Sequence, residues 1–357
     1  MATLDELQQQ LAALSARVDA LTTPPDDYYT SKYSGEEIDA GIEKTGSLPE
    51  SWPLPIASGG TGADTAQLAL ANLGGRPNRN IARNPDFKIN QRNFSSDNWT
   101  SGYGPDGWIS TGAGSLEYSG GPVKTNNQYL HQYYEPGEID AGIYTFSAFC
   151  TDNVFIELGY WGGSKVSATS TNFDNGFASI TVEITEGMVD AVKKGYLYVL
   201  CKNNGTISRI KLEKSPFQTL AYKDSSGNWH SLDAIDYGEE LLRCFRYYYD
   251  SGSRTTGANG SIKTPVWDTA ATTSSSHFSD GVRFPVPMRT APAISFYSGG
   301  SRTPNKVAYG STGADALATP QAANVGPDGF SQVNLVGEDP TLSGTSINYF
   351  YIANAEL

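Results

Sequence analysis

Apolar residues recur at Leu4, Leu7, Leu11, Leu14, Val18 and Leu21, a 3-4-3-4-3 spacing that keeps one narrow seam along a helix. Good helix formers such as Gln8, Gln9, Ala12, Ala13 and Ala16 fill the positions between, and Pro24-Pro25 stops the helix. A helix docked on its own domain carries a wider stripe of period 3.6. The seam therefore predicts a coiled-coil oligomerisation helix over residues 1–23. Three heptads are marginal alone, so contacts further down the chain must help hold the assembly. Leu and Val at the seam leave the number of strands open.

Residues 24–77 read as an acidic stalk and linker, interrupted by Pro49, Pro53 and Pro55 and ending in a glycine-rich stretch. Short helices are expected at 34–44, behind a Ser-x-x-Glu capping box, and at 63–73, closed by Gly74-Gly75. From Asn78 the period shifts toward two. Strands are expected at 143–150, 154–160, 178–184, 196–202 and 206–212, with Asn203-Asn204-Gly205 as a hairpin-like turn. A junction at 222–242 leads to a helical turn at 239–247. Further strands are expected at 282–286, 293–297, 307–309, 331–336 and 347–353. With 38 Gly and 21 Tyr, only 38% hydrophobic and 18% charged residues, the composition favours short strands and turns. The fold expected is mainly β: the coil and stalk, then two jelly-roll-like β-sandwich domains at 78–221 and 243–357.

Net charge is −13, which argues against a nucleic-acid partner. Residues 243–357 hold eight Lys/Arg against eight Asp/Glu, so that third is neutral and suits hydrogen bonding to an uncharged polymer. No run of ~18 apolar residues exists, so no membrane insertion is expected, and the first residues lack the pattern of a secretory signal. Cys150, Cys201 and Cys244 have neither disulfide-framework nor zinc spacing and read as buried thiols. His131, His230 and His277 have no ligand spacing to one another. Neither a metal nor a cofactor is called for, and no nucleophile or phosphate-loop motif appears. Glu117, Asp140, Asp152, Glu157, Asp280, Glu338 and Asp339 are the acids from which a glycosidase pair would have to come. The expectation is a protein without enzymatic activity.

Aromatic residues carry more information. Trp99, Tyr103, Trp108, Tyr129, Tyr133, Tyr134, Tyr160 and Trp161 fall in the first β-domain. Tyr247, Tyr248, Tyr249, Trp267, Phe278, Tyr297, Tyr309, Tyr349 and Tyr351 fall in the second. A sugar's C–H face can lie on such rings while amides and hydroxyls satisfy its hydroxyl groups. Two Gly/Ser-rich loops framed by aromatics are the expected glycan site. One, at 251–267, offers Arg254, Asn259, Lys263 and Trp267; the other, at 297–309, offers Tyr297, Arg302, Asn305 and Tyr309. The rival site is Trp99, Trp108 and Trp161 in the first sandwich. The turn GPDG followed by an aromatic occurs twice, at 104–108 and 326–330, and reads as local turn chemistry.

Several stretches resemble one family. LPIASGGTGADTAQLALANLGG (54–75) is similar to a linker that recurs in tail fibres of tailed bacteriophages and phage-tail-like particles, and YSGEEIDAGIEK (33–44) to a segment of fibres from phages of Gram-positive hosts. NPDFKINQRN (84–93) resembles the opening of a carbohydrate-binding-module-like sandwich in these fibres. KLEKSPFQTLAY with YGEELLRCFRYYY, and the ending YIANAEL, resemble their C-terminal domain. The resemblance implies a receptor-binding homotrimer in the virion tail. Its N-terminal region would meet a tail or baseplate protein, and its C-terminal end a host-surface polysaccharide. A polysaccharide depolymerase, or a collar fibre without a receptor, are the alternatives.

Overall fold

The computed structural model describes residues 4–22, 60–190, 193–252, 261–268, 277–337, 342 and 345–356. They belong to two compact units, Met1–Leu73 and Gly74–Leu357. Stalk residues 24–59, with the helix expected at 34–44, lie outside the described residues.

In the first unit the expected seam forms helix α1 (Leu4–Thr22), with Asp5 and Glu6 in its first turn where the helix dipole favours them. Leu4, Leu7, Leu11, Leu14 and Val18 are 50–73% exposed; the Leu21 side chain lies outside the described ones. Helix α2 (Ala66–Asn72) is capped by Thr65, whose hydroxyl accepts from the Leu68 N–H at 3.2 Å. The Asn72 amide donates back to the Thr61 and Gly62 carbonyls at 3.0 Å each. The glycine-rich linker therefore folds locally into a closed turn and helix.

The second unit opens with ten strands: β1 (Ser96–Trp99), β2 (Gly102–Tyr103), β3 (Ile109–Tyr118), β4 (Val123–Tyr134), β5 (Gly142–Cys150), β6 (Val154–Tyr160), β7 (Lys165–Thr169), β8 (Phe177–Ile184), β9 (Gly195–Cys201) and β10 (Thr206–Glu213). Their order is β7-β6-β9-β4-β10-β5-β8, with β3 on β4 and β1 and β2 on β3. Strand β4 is shared: Leu130–Tyr134 pairs with β9, whereas Val123 and Lys124 pair with β10. The ladder thus folds over into a sandwich. Tyr144, Phe146 and Ala148 of β5, Ile156 and Leu158 of β6, and Leu197 and Val199 of β9 alternate into its single core. Strand β6 matches expectation, β5, β8 and β10 differ from it by one residue at an end, and β9 is shifted by one residue at both ends. The hairpin expected at Asn203-Asn204-Gly205 does not form. Asn203 and Asn204, at φ 52° and 56°, carry the chain between layers, and β9 and β10 pair with β4 separately.

After the small hairpin β11 (Ala221–Lys223) and β12 (Trp229–Ser231), helix α3 (Tyr237–Phe245) starts at Asp236, whose carboxylate accepts from the Gly238 and Glu239 N–H groups. The second β-domain holds β13 (Tyr248–Asp250), β14 (Ile262–Asp268), β15 (His277–Arg283), β16 (Ala293–Ser298), β17 (Ala308–Tyr309), β18 (Thr319–Ala323), β19 (Gly329–Val336) and β20 (Ser346–Asn354). Strand β20 pairs with β13, β14, β16 and β17 and turns Ile347, Tyr349, Tyr351 and Ala353 into a second core; β14 leads on to β15, β19 and β18. The strand expected at 282–286 ends at Arg283 because Pro285 and Pro287 have no N–H to donate.

The two cores are joined by buried polar contacts from the NPDFKINQR segment. Asn84, at φ 47° and fully buried, accepts from the Ile89 N–H at 2.9 Å and donates to the Ile89 and Asp106 carbonyls at 2.8 and 3.0 Å. Its backbone N–H donates to Glu240 of α3 at 2.9 Å. Gln91 donates to the Tyr248 carbonyl at 2.7 Å and accepts from the Asp250 N–H. Arg92 lies 3.5 Å over the Tyr248 ring and pairs with Glu356 and Asp106. Burial pushes Asp106 up to about 6 and Glu356 up to about 7, against the opposing pull of Arg92. Replacing Asn84 with Ala strands the buried Ile89 N–H and Asp106 carbonyl and puts alanine, which tolerates the left-handed region less well than asparagine, at positive φ. The expected loss is about 3–5 kcal/mol, read by urea denaturation as one transition in which both cores unfold together.

Candidate functional site

The outer face of the sheet β3-β4-β9-β6-β7 gathers aromatic side chains. Antiparallel register sets Ile109, His131, Tyr198, Glu157 and Ser167 in one row across five strands. The next row is Tyr133, Tyr196, Gly159 and Lys165. Tyr129 packs against Phe155 and Tyr198 at 5.7 and 5.8 Å, and Trp161 meets Tyr133 edge-on at 5.9 Å. The Lys194 ammonium lies 3.7 Å over the Tyr133 ring and 5.9 Å from that of Trp161. Burial and then Arg289 hold its pKa below the ordinary lysine value. Tyr129, Tyr133, Phe155 and Tyr198 are half-buried, and Trp161 is 52% exposed. The result is a ring-lined face with a cation at one end.

Glu157 supplies the carboxylate. It accepts from Tyr196 at 2.8 Å and Ser167 at 2.9 Å and pairs with Lys165 at 2.9 Å. Burial alone would raise its pKa, but these three partners hold it below the ordinary glutamate range. Beneath the rings His131 is fully buried, 4.0 Å from Tyr133 and 4.2 Å from Tyr198, and neither ring nitrogen has a hydrogen-bond partner among the described residues. Burial, with Lys194 adding to it, pushes its pKa down to about 3. The imidazole is neutral and acts as an aromatic filler.

The sequence-expected residues divide. Trp99 and Trp108 are corrected: at 2% and 0% exposure both are core, with Trp99 packed on Phe94 and Trp108 on Phe87, and neither presents a face to a ligand. Trp161 belongs to the aromatic face. Arg254 and Asn259 lie outside the described residues. Arg302 is not a free donor: it pairs with Asp250 at 3.1 Å and donates to the Gly252 carbonyl at 3.1 Å, over Phe350. Tyr297 lies beside it, Tyr309 packs on the second core, and Asn305 turns the chain at φ 57°. Lys263 and Trp267 are exposed on the outer side of β14, Trp267 by 51% and paired across the sheet with Phe278. The two expected loops therefore do not build one site among the described residues. The acids are dispersed: Glu117 pairs with Lys124, Asp140 with Lys214 and Glu157 with Lys165, and Asp152 takes the Asn203 amide. Glu338 and Asp339 lie outside the described residues.

Phe155, Tyr196, Tyr198 and Lys194 were not singled out by the sequence. For Tyr196 and Tyr198 the signal is the alternation of rings with aliphatic residues in GYLYVLC, which puts every second residue on the outer face; Phe155 and Lys194 carry no such pattern.

No protein-family model matches the chain, and no curated protein matches it. Among solved structures, the CBM22-1–GH10 modules of Clostridium thermocellum xylanase 10B, complexed with xylohexaose, align at 11% identity and TM-score 0.26 over 41% of this chain and 30% of that one. The CBM22-1–CBM22-2 tandem of Paenibacillus barcinonensis Xyn10C aligns at 9% and 0.23 over 79% and 99%. Discoidin II of Dictyostelium discoideum aligns at 10% and 0.18 over 67% and 80%. A likeness at these scores says nothing of this chain's ligand.

Because His131 is neutral in the fold and titrates near 6.5 when unfolded, its contribution is present above about pH 6.5 and is lost as pH falls toward 3. His131→Phe is expected to flatten the decline. Between pH 6.5 and 4.5, wild type should lose about 2–3 kcal/mol relative to the variant in urea denaturation.

Proposed function

We propose that the chain is a receptor-binding tail fibre of a bacteriophage or phage-tail-like particle. It works as a homotrimer in the virion tail, with its N-terminal region toward the tail or baseplate, and attaches the particle to a host-surface polysaccharide without cleaving it. The observation that carries the glycan part is the aromatic face. Trp161 and Tyr133 offer rings to the C–H faces of sugar units, and Lys194 offers hydrogen bonds to their hydroxyls. A glycosidase needs a carboxylic acid with a raised pKa. Glu157 is held ionised, and the raised carboxyls of Asp106 and Glu356 are buried in the junction between the cores. The exposed seam of α1 supports self-association. The tail-fibre assignment itself rests on the linker and C-terminal resemblance.

Tyr133→Ala and Trp161→Ala are each expected to weaken binding to host cell-wall polysaccharide by about tenfold, the loss of ~1–2 kcal/mol of ring contact, with folding unchanged. Trp267, half exposed on the second domain, favours the alternative placement. Binding lost with Trp267→Ala and retained in the other two would move the receptor site there. No retention of any cell-wall polysaccharide by the trimer would sink the reading.

Replacing Leu11 and Leu14 together with Asp puts charge in the seam and is expected to unwind α1 while the β-domains hold the trimer. Circular dichroism and light scattering test this. A monomer would assign assembly to the coil alone, and an unchanged helical signal would remove the coil.

A further inference from the structure

We propose that the groove at the second Gly-Pro-Asp-Gly turn is a separate binding site for an electrically neutral saccharide unit, an inference that rests on the glycan-binding reading above. The groove measures about 510 Å³, within the ~300–1,000 Å³ usual for small-molecule sites. Gly281, Arg283, Asn324, Asp328, Gly329 and Ser331 are among the residues that line it. Its floor is backbone. A Cβ on Gly281 would lie 2.0 Å from the Phe330 carbonyl oxygen, and one on Gly329 would lie 2.0 Å from that of Val282. No side chain can stand at either position without parting β15 from β19. Gly326, in the turn itself, has nothing within 4 Å of where its Cβ would be and faces open space.

The turn holds its shape without its acid. Gly326 and Gly329 exchange N–H···O bonds at 2.8 and 3.3 Å, and the Asp328 and Pro327 carbonyls accept from the Phe284 and Met288 N–H groups. The Asp328 carboxylate is exposed and, among the described residues, has neither an ion-pair nor a hydrogen-bond partner; the same is true of the Arg283 guanidinium on the same groove. The Asn324 amide is held by its donation to Ser331 at 2.8 Å, which leaves its carbonyl oxygen to accept. In the first copy of the motif the corresponding Asp106 is buried and bonded to Gln91. The second copy thus presents a carboxylate that the fold does not use.

This chemistry selects its ligand. A carboxylate and an amide oxygen accept from adjacent hydroxyls, and a guanidinium donates to a further oxygen. One free charge of each sign disfavours a net charge on the occupant: an anionic unit would face Asp328, a cationic one Arg283. A neutral polyhydroxyl unit satisfies both.

The test uses the full chain on a printed set of neutral, uronic-acid and phosphate-bearing oligosaccharides, followed by calorimetry with the neutral oligosaccharide retained best. Asp328→Ala and Arg283→Ala are each expected to weaken that oligosaccharide at least tenfold, with thermal unfolding unchanged. The residual binding should disappear when Tyr133→Ala and Trp161→Ala are added. Unchanged affinity in both groove variants, with loss only in the aromatic-face variants, overturns the groove and leaves the glycan reading intact. Retention of no oligosaccharide by wild type overturns both. Tighter binding of uronic-acid or phosphate-bearing probes by Asp328→Ala overturns the neutral class. A change in oligomer mass with unchanged affinity makes the groove a contact between copies and overturns the site.

Discussion

The structure of residues 74–357 depends on how Asn84 satisfies buried backbone that no strand can reach. Its side chain bonds both backbone groups of Ile89 and the carbonyl of Asp106, and its own carbonyl accepts from the Trp108 indole. That closed turn aims Gln91 and Arg92 at the second domain and hands the Asn84 N–H to Glu240. Arg243 of the same helix reaches back to the Ile81 carbonyl at 2.9 Å, and Arg83 covers the Tyr247 ring at 3.9 Å. A buried charge is tolerated when it is paired and becomes costly when its partner is removed. Each core therefore supplies partners to the other, and two β-domains distinct in sequence are joined through buried polar contacts.

The sequence was most legible where one face of a strand is apolar. Strands β5, β6, β8, β9 and β10 are rich in apolar and β-branched residues, β5, β6 and β9 being buried along most of their length, and their limits followed within a residue. Strands β3 and β4 were missed because their middle is polar. The Asn126-Asn127-Gln128 run reads as a turn, and Asn127 does take φ 53° opposite the register shift between Gly112 and Ser115. That irregularity is absorbed inside a twelve-residue strand instead of ending it. The site was legible only in part. Trp99 and Trp108 have the same local signals as Trp161, yet two are core and one is exposed, because burial is decided by strands distant in sequence. Arg302 likewise looked free because its partner Asp250 lies more than fifty residues upstream.

The repeated GPDG turn makes the same point at single-residue scale. The same four residues yield a buried carboxylate in one copy and an exposed one in the other, with different main-chain hydrogen bonds closing the two turns. In the first, the turn faces the NPDFKINQR segment, and Gln91 with Arg92 supplies the donors that a buried acid requires. In the second, the turn is held by main-chain bonds to Phe284 and Met288, and nothing in that scheme needs the acid. The surroundings, and not the four residues themselves, decide how the turn closes and what the aspartate does.

The rigid junction bears on function through geometry. A polymer gripped at two places by one body gains from the second contact as an intramolecular step, provided the spacing between the two is fixed. If the domains were joined by a loose linker, each encounter would have to order them first, at a cost in conformational entropy. The buried network around Asn84, Arg92 and Glu356 ties the core that carries the aromatic face to the core that carries the Asp328 groove, which lowers that cost. Weak contacts of a few hydrogen bonds and one or two rings would then suffice at each of the two proposed sites. The same residues that join the two cores would let the two proposed sites act together.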